Sequence, residues 1–235
     1  AWTPDGKRLA FASATAGPQN LFWKPADGSG TEERLSTSGS TQWPTSWSPD
    51  GKWLVYEESR PATASDIWVA PRPEGAGTSG PAKALVQAPF FERGAVIAPG
   101  GRWIAYTSNE TGNVEVFVQP FSPGPGASLG GKWQISNGGG LEPVWARNGR
   151  ELFYRSGNKM IAVDVTTEPS FAAGKPRVLF EGPYFSLTGL TQYDVAPDGR
   201  FVMIQGVESG PAPTQFHVVV NWVEELKGRT RAGKN

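Results

Sequence analysis

Five copies of one turn, spaced almost evenly, restrict the folds open to this chain more than any other feature. The turn glycines are Gly6, Gly51, Gly101, Gly149 and Gly199, in the contexts "WTPDG", "WSPDG", "IAPGG", "WARNG" and "VAPDG", at intervals of 45, 50, 48 and 50 residues. Asp-Gly, Asn-Gly and Gly-Gly tolerate positive φ, which predicts a two-residue hairpin loop at each site. A basic residue follows every glycine (Lys7, Lys52, Arg102, Arg150, Arg200). Two positions on stands Leu9, Leu54, Ile104, Leu152 or Val202, and two further Phe11, Tyr56, Tyr106, Tyr154 or Ile204. That period of two is one strand face. The position between is apolar as well (Ala10, Val55, Ala105, Phe153, Met203), so each strand needs cover on both faces.

A third apolar run follows in every unit ("NLFWK", "DIWVA", "VEVFV", "KMIAVDV", "FHVVVNW"), and a shorter fourth in four of them ("ERLS", "KALV", "WQIS", "RVLF"). Four antiparallel strands in 40 to 50 residues, unable to bury both faces alone, are the mark of a β-propeller blade. A β-sandwich also shows short strands at regular spacing, but has no reason to repeat the same residue types at fixed offsets from each turn. The expected fold is therefore all-β: one propeller domain over residues 1–235, with five blades near 1–40, 41–89, 90–138, 139–188 and 189–223. The Glu and Leu spacing in "WVEELKG" predicts a short C-terminal helix near 222–229. Trp2, Trp47, Ile97, Trp145 and Val195 share one register, four residues before the turn glycine, and are expected in the core between blades.

Composition narrows the function classes. Lys plus Arg equals Asp plus Glu at 22 each, so no global field favours nucleic acid or an anionic membrane. Cysteine is absent, which excludes disulfides, thiolate metal sites and a cysteine nucleophile. No apolar run reaches the roughly 18 to 20 residues that span a bilayer, so membrane insertion by this chain is not expected.

The phrases "WSPDGKWLVY" and "VWARNGRELFYRS" resemble TolB-type, WD-like β-propeller repeats over nearly the whole chain. The stretch from "RELFYRSGNKMIAVDV" through "YDVAPDGRFVMIQ" to "VVVNWVEEL" is similar to the end of propellers carried behind bacterial serine/threonine protein kinase domains. That resemblance implies a sensor or protein-interaction module, on the extracytoplasmic side of a membrane-anchored protein. Kinase motifs are missing from these residues: there is no Gly-rich nucleotide loop with its strand lysine, no "HRD" and no "DFG".

Catalytic readings fail on context. Residues 126–130 spell G-x-S-x-G around Ser128, with His217 downstream. A nucleophile elbow needs a strand before the serine and a helix after it, whereas "FSPGPGASLGGKW" is a loop and His217 lies in the apolar run "FHVVVNW". Asp5, Asp50 and Asp198 belong to separate turns and form no calcium loop. Asn109-Glu110-Thr111 matches a glycosylation acceptor but reads as a hairpin loop, and Glu57, Glu58 and Glu110 read as solvated loop ends. No cofactor or metal is expected.

The aromatics Trp43, Phe90, Phe91, Tyr184 and Phe185 fall in segments that join one blade's outer strand to the next blade's inner strand, which in a propeller lie on one face around the channel mouth. Arg93, Glu142 and Gln192 stand near the starts of inner strands. The expected site is this mouth, with Trp43, Phe91, Arg93, Glu142 and Gln192 taking a protein or small-molecule ligand without catalysis. Alternatives are the propeller of a serine peptidase of prolyl-oligopeptidase type without its hydrolase domain, or a hydrolase or lyase acting in the channel. Few residues precede the first turn and a fourth strand is missing from the fifth unit. That pattern predicts the C-terminal piece of a longer polypeptide, with an open or strained ring and at least one further blade upstream.

Overall fold

The computed structural model describes residues 1–15, 17–61, 64–73, 78–123, 130–185 and 190–205. The expected C-terminal helix, the "FHVVVNW" strand, Ser128 and His217 lie outside these residues. Residues 1–205 form one compact unit. Every strand pairing in it is antiparallel.

The first sheet holds β1 (Arg8–Ser13), β2 (Asn20–Pro25) and β3 (Glu33–Arg34) in that order. Ala1–Thr3 adds a short inner segment: Trp2 bridges Leu9, and the Ala10 N–H donates to the Ala1 carbonyl at 2.8 Å. The second sheet is β4 (Gln42–Trp47), β5 (Trp53–Arg60), β6 (Ala64–Pro71) and β7 (Lys83–Val86), and the third is β8 (Glu92–Ile97), β9 (Trp103–Ser108), β10 (Glu115–Pro120) and β11 (Trp133–Gln134). In the fourth, β12 (Leu141–Trp145), β13 (Glu151–Ser156) and β14 (Lys159–Thr166) are followed by a divided outer edge. There β14 pairs with both β15 (Ala172–Ala173) and β16 (Arg177–Glu181). The fifth contributes β17 (Tyr193–Val195) and β18 (Phe201–Met203) among the described residues.

The core explains why the second strands are apolar on both faces. Leu54 and Tyr56 pack with Leu21 and Trp23 of the first sheet, whereas Val55 packs with Ile104 and Tyr106 of the third. Ala105 joins Leu152 and Tyr154 of the fourth sheet, and Phe153 joins Tyr193 and Val195 of the fifth. Each sheet is thus glued to its sequence neighbours through alternate residues of one strand. Trp47, Ile97, Trp145 and Val195 are buried between blades as their register requires. Trp2 departs from that expectation: it is 60% exposed, on a face that the described residues leave uncovered.

The turns differ in detail from two-residue loops. All five glycines are left-handed, with φ between 66° and 81°, but the Asp or Asn before them is not. The Gly51 N–H donates to the Ser48 carbonyl at 2.8 Å, and the Ser48 N–H to the Trp53 carbonyl at 2.8 Å, which places four residues in the loop. Proline at the second position, a bond from the fourth residue back to the first, and glycine in the left-handed region are the features of a type I turn closed by a bulge. The aspartate braces the loop from within. Asp50 Oδ1 accepts from the Ser48 hydroxyl and the Lys52 N–H, and Asp5 repeats this with Thr3 and Lys7. These bonds hold both carboxyls below the usual range.

Candidate functional site

Buried polar residues at the starts of the third strands fix the segments that lead from one blade into the next. Asn20 Nδ2 donates to the Ser38 and Ser40 carbonyls at 3.2 Å each, and Glu115 accepts the Gly138 and Gly139 N–H groups at 2.8 and 3.0 Å. Asp66 receives Gln87 Nε2 at 2.9 Å. All three are almost fully buried, so these connections are held from below and the inner strands begin at set heights.

The inner strands β4, β8 and β12 then each carry a register shift within their first five residues. In β8 and β12 the shift coincides with left-handed backbone, at Gly94 (φ 62°) and Glu142 (φ 58°). A bulge re-aims the neighbouring side chains. Glycine takes this conformation freely, but Glu142 needs support. Its carboxylate Oε2 accepts the Gln192 N–H at 3.0 Å, and its carbonyl accepts the Tyr193 hydroxyl at 2.7 Å. The fifth blade therefore clamps Glu142 through both side chain and main chain. One junction earlier, Glu57 Oε1 accepts the Gly94 N–H at 2.7 Å.

Between these bulges lies a small hollow lined by Phe91, Arg93, Thr107, Leu141, Glu142 and Leu190, with Gly94 and Thr191 at its edge. Phe91 is positioned by its N–H, which donates to Asn109 Oδ1 at 3.0 Å, so that Asn109 acts within the fold. The Arg93 guanidinium lies 5.5 Å from the Phe91 ring centroid. Among the described residues it makes no hydrogen bond and no ion pair. Burial pushes the Glu57 carboxyl up to about 7, opposed by the Gly94 N–H and by Arg93.

Of the expected site residues, Phe91, Arg93 and Glu142 meet at the hollow. Gln192 reaches it through its backbone N–H, while its half-buried side chain turns toward the Leu190 carbonyl. Trp43 is placed differently: it lies inside β4 rather than in a connection, paired across to Glu57, and does not line the hollow. Phe90 and Phe185 are exposed on their connections, and Arg155 secures residues 184 and 185 by donating to both carbonyls. Leu141 and Thr191 join the hollow without having been expected there, although both stand eight residues before a turn glycine, the register that also holds Trp43 and Arg93.

The acids also depart from expectation. Glu57 and Glu58 are buried within β5, which runs four residues beyond Tyr56 to Arg60, and both find partners inside the fold. Glu58 accepts Gln42 Nε2 and pairs with Arg60, both at 2.6 Å. Glu110 is mostly covered and pairs with Lys132. Glu92 is fully buried, and among the described residues neither of its oxygens has a side-chain partner.

No family model matches the chain, and no curated protein matches it. Solved structures do. A TolB from Agrobacterium tumefaciens superposes with a TM-score of 0.62 at 20% identity, over 86% of this chain and 71% of that one. TolB from Acinetobacter baumannii gives 0.60 at 21% identity, over 89% of this chain and 54% of that one. The fold is that of a TolB-type β-propeller. A puromycin-hydrolysing peptidase of Mycobacterium tuberculosis shares it with a TM-score of 0.58 at 18% identity, this chain spanning 35% of that protein. Among the described residues, no helix is long and apolar enough to cross a membrane.

Proposed function

We propose that the chain is a non-enzymatic recognition module that binds a protein or peptide at the mouth formed by β8, β12 and the segment entering β17. One observation carries this reading: three successive blades bring an aromatic, a cation and apolar side chains to one hollow, while Glu57 and Glu142 beside it are committed to backbone N–H groups. A preformed hollow with few polar groups suits binding. The resemblance of the C-terminal stretch to propellers behind kinase domains supports a role in a sensor, on the extracytoplasmic side of a membrane-anchored protein.

The test is selection of displayed peptides on the 235-residue chain, with the winners re-measured against Phe91→Ala and, as a control, Val178→Ser on the exposed outer edge. The reading predicts that most selected peptides lose at least tenfold in affinity to Phe91→Ala and none to the control. Peptides that bind both variants like the parent would overturn it. The peptidase alternative rests on fold alone, and a hydrolase domain encoded in the same reading frame would favour it.

A further inference from the structure

The mouth contains a cation with no hydrogen bond or ion pair among the described residues. Arg93 is half-buried beside Phe91, and the two acids nearest the hollow have turned elsewhere: Glu57 to the Gly94 N–H and Glu142 to the Gln192 N–H. Other half-buried arginines of the fold are paired, Arg8 with Glu33 at 3.1 Å and Arg60 with Glu58 at 2.6 Å, and the buried Arg155 donates to two backbone carbonyls. A guanidinium presents a planar fork of N–H donors that matches a carboxylate in a bidentate pair, and holding it partly desolvated without a partner is costly. The walls on either side, Phe91, Leu141 and Leu190, offer apolar surface.

We propose, resting on the mouth as the binding site, that Arg93 anchors a carboxylate carried next to an apolar or aromatic group, so that ligands are selected by an acid with a hydrophobic neighbour. Such an acid comes from the free C-terminus of a peptide or from an internal Asp or Glu side chain. The hollow is small, with room for little more than the acid itself, so the adjoining apolar group lies against the side chains that line the opening, such as Phe91 and Leu190. Burial of Glu57 supports the same chemistry, because a carboxyl that titrates near 7 offsets the Arg93 charge only in part at neutral pH.

The experiment is a titration of the 15N-labelled full chain with N-acetyl-L-phenylalanine and with its primary amide, followed through the Gly94 and Thr107 N–H and Arg93 Nε–H signals. The acid is expected to shift these signals saturably, and the amide to bind at least tenfold more weakly. Arg93→Gln should remove that preference and Arg93→Lys should restore part of it. Arg93 makes no bond within the described fold, so both variants are expected to keep the parent spectrum elsewhere. A second arm uses one hexapeptide ending in phenylalanine as free acid, as C-terminal amide, and as amide with an internal glutamate. Preference for the first assigns a chain terminus, and preference for the third an acidic side chain. Acid and amide shifting the mouth equally, or Arg93→Gln leaving acid binding unchanged, would overturn the carboxylate anchor while leaving the mouth in place. No ligand shifting any mouth signal would overturn both.

Discussion

Replacing Glu92 by glutamine should flatten the dependence of stability on pH. At the same register in the second blade stands Gln42, which donates to Glu58 and accepts from the Ser36 hydroxyl. Glu92 has no such partners. Burial, then the charges of Asp66 and Glu110, raise its carboxyl to about 8, against the opposing pull of the Ala88 amide and Lys132. An unfolded glutamate titrates near ~4.3. A carboxyl raised on folding contributes stability that is fully present below the unfolded value and lost as pH rises through the folded one. Between pH 6 and 8 the unfolded chain has released this proton and the folded chain keeps it until close to 8. Stability should then fall by about 1.4 kcal/mol per pH unit, and by about 2 kcal/mol over the interval once titration near 8 is included. Glu92→Gln cannot titrate, so its loss between pH 6 and 8 should be smaller by that amount, or roughly 4–8 °C in Tm for a chain of this size. Urea and thermal unfolding of both proteins at pH 6, 7 and 8 measures it. Parallel curves, or a steeper one for the variant, would refute the buried protonated carboxyl.

Three further outcomes follow from the same geometry. Binding of N-acetyl-L-phenylalanine should be tighter at pH 6 than at pH 8, because the Glu57 carboxyl near Arg93 is mostly neutral below 7 and charged above it; Glu57→Gln should abolish that difference, and its persistence would implicate another group. Gly94→Ala should cost roughly 1 kcal/mol in urea unfolding from left-handed backbone alone, since a Cβ there meets Pro143 and Thr107 only at 3.7 and 3.9 Å. Glu115→Ala should cost roughly 2–3 kcal/mol by leaving the buried Ser136 hydroxyl without its acceptor, with faster amide exchange at Gly138 and Gly139, whose N–H groups Glu115 accepts.

The repeat is legible because each of its elements answers a separate physical demand. Only glycine sits easily in the left-handed position that closes each turn, and only strands covered on both sides are apolar at consecutive positions, as Leu54, Val55 and Tyr56 are. Arg93, Phe91 and Glu142 can be placed at the mouth because the turn glycines set their height. Trp43 holds in its own blade the register that Arg93 holds in the next, and which blades' residues share the hollow is decided by how neighbouring sheets pack, which leaves no mark in a single sequence. Glu142 reads from sequence as a ligand-orienting side chain, yet it is a left-handed residue clamped by Gln192 and Tyr193, a role that composition assigns to glycine or asparagine. Glu57, Glu58 and Glu92 are hidden for a related reason. Acidic residues suggest solvent, and their burial is supported by partners 16 to 37 residues away for the first two and by protonation for the third.

The central claim is that ligands enter at the Phe91–Arg93–Leu141 hollow, and a crystal structure of the 235-residue chain with a display-selected peptide tests it most directly. The account predicts peptide density against Phe91 and Leu141, with a carboxylate in two-point contact with the Arg93 guanidinium and Glu142 still holding the Gln192 N–H. A peptide seated instead along an outer strand edge, with Arg93 left unpaired, would contradict it.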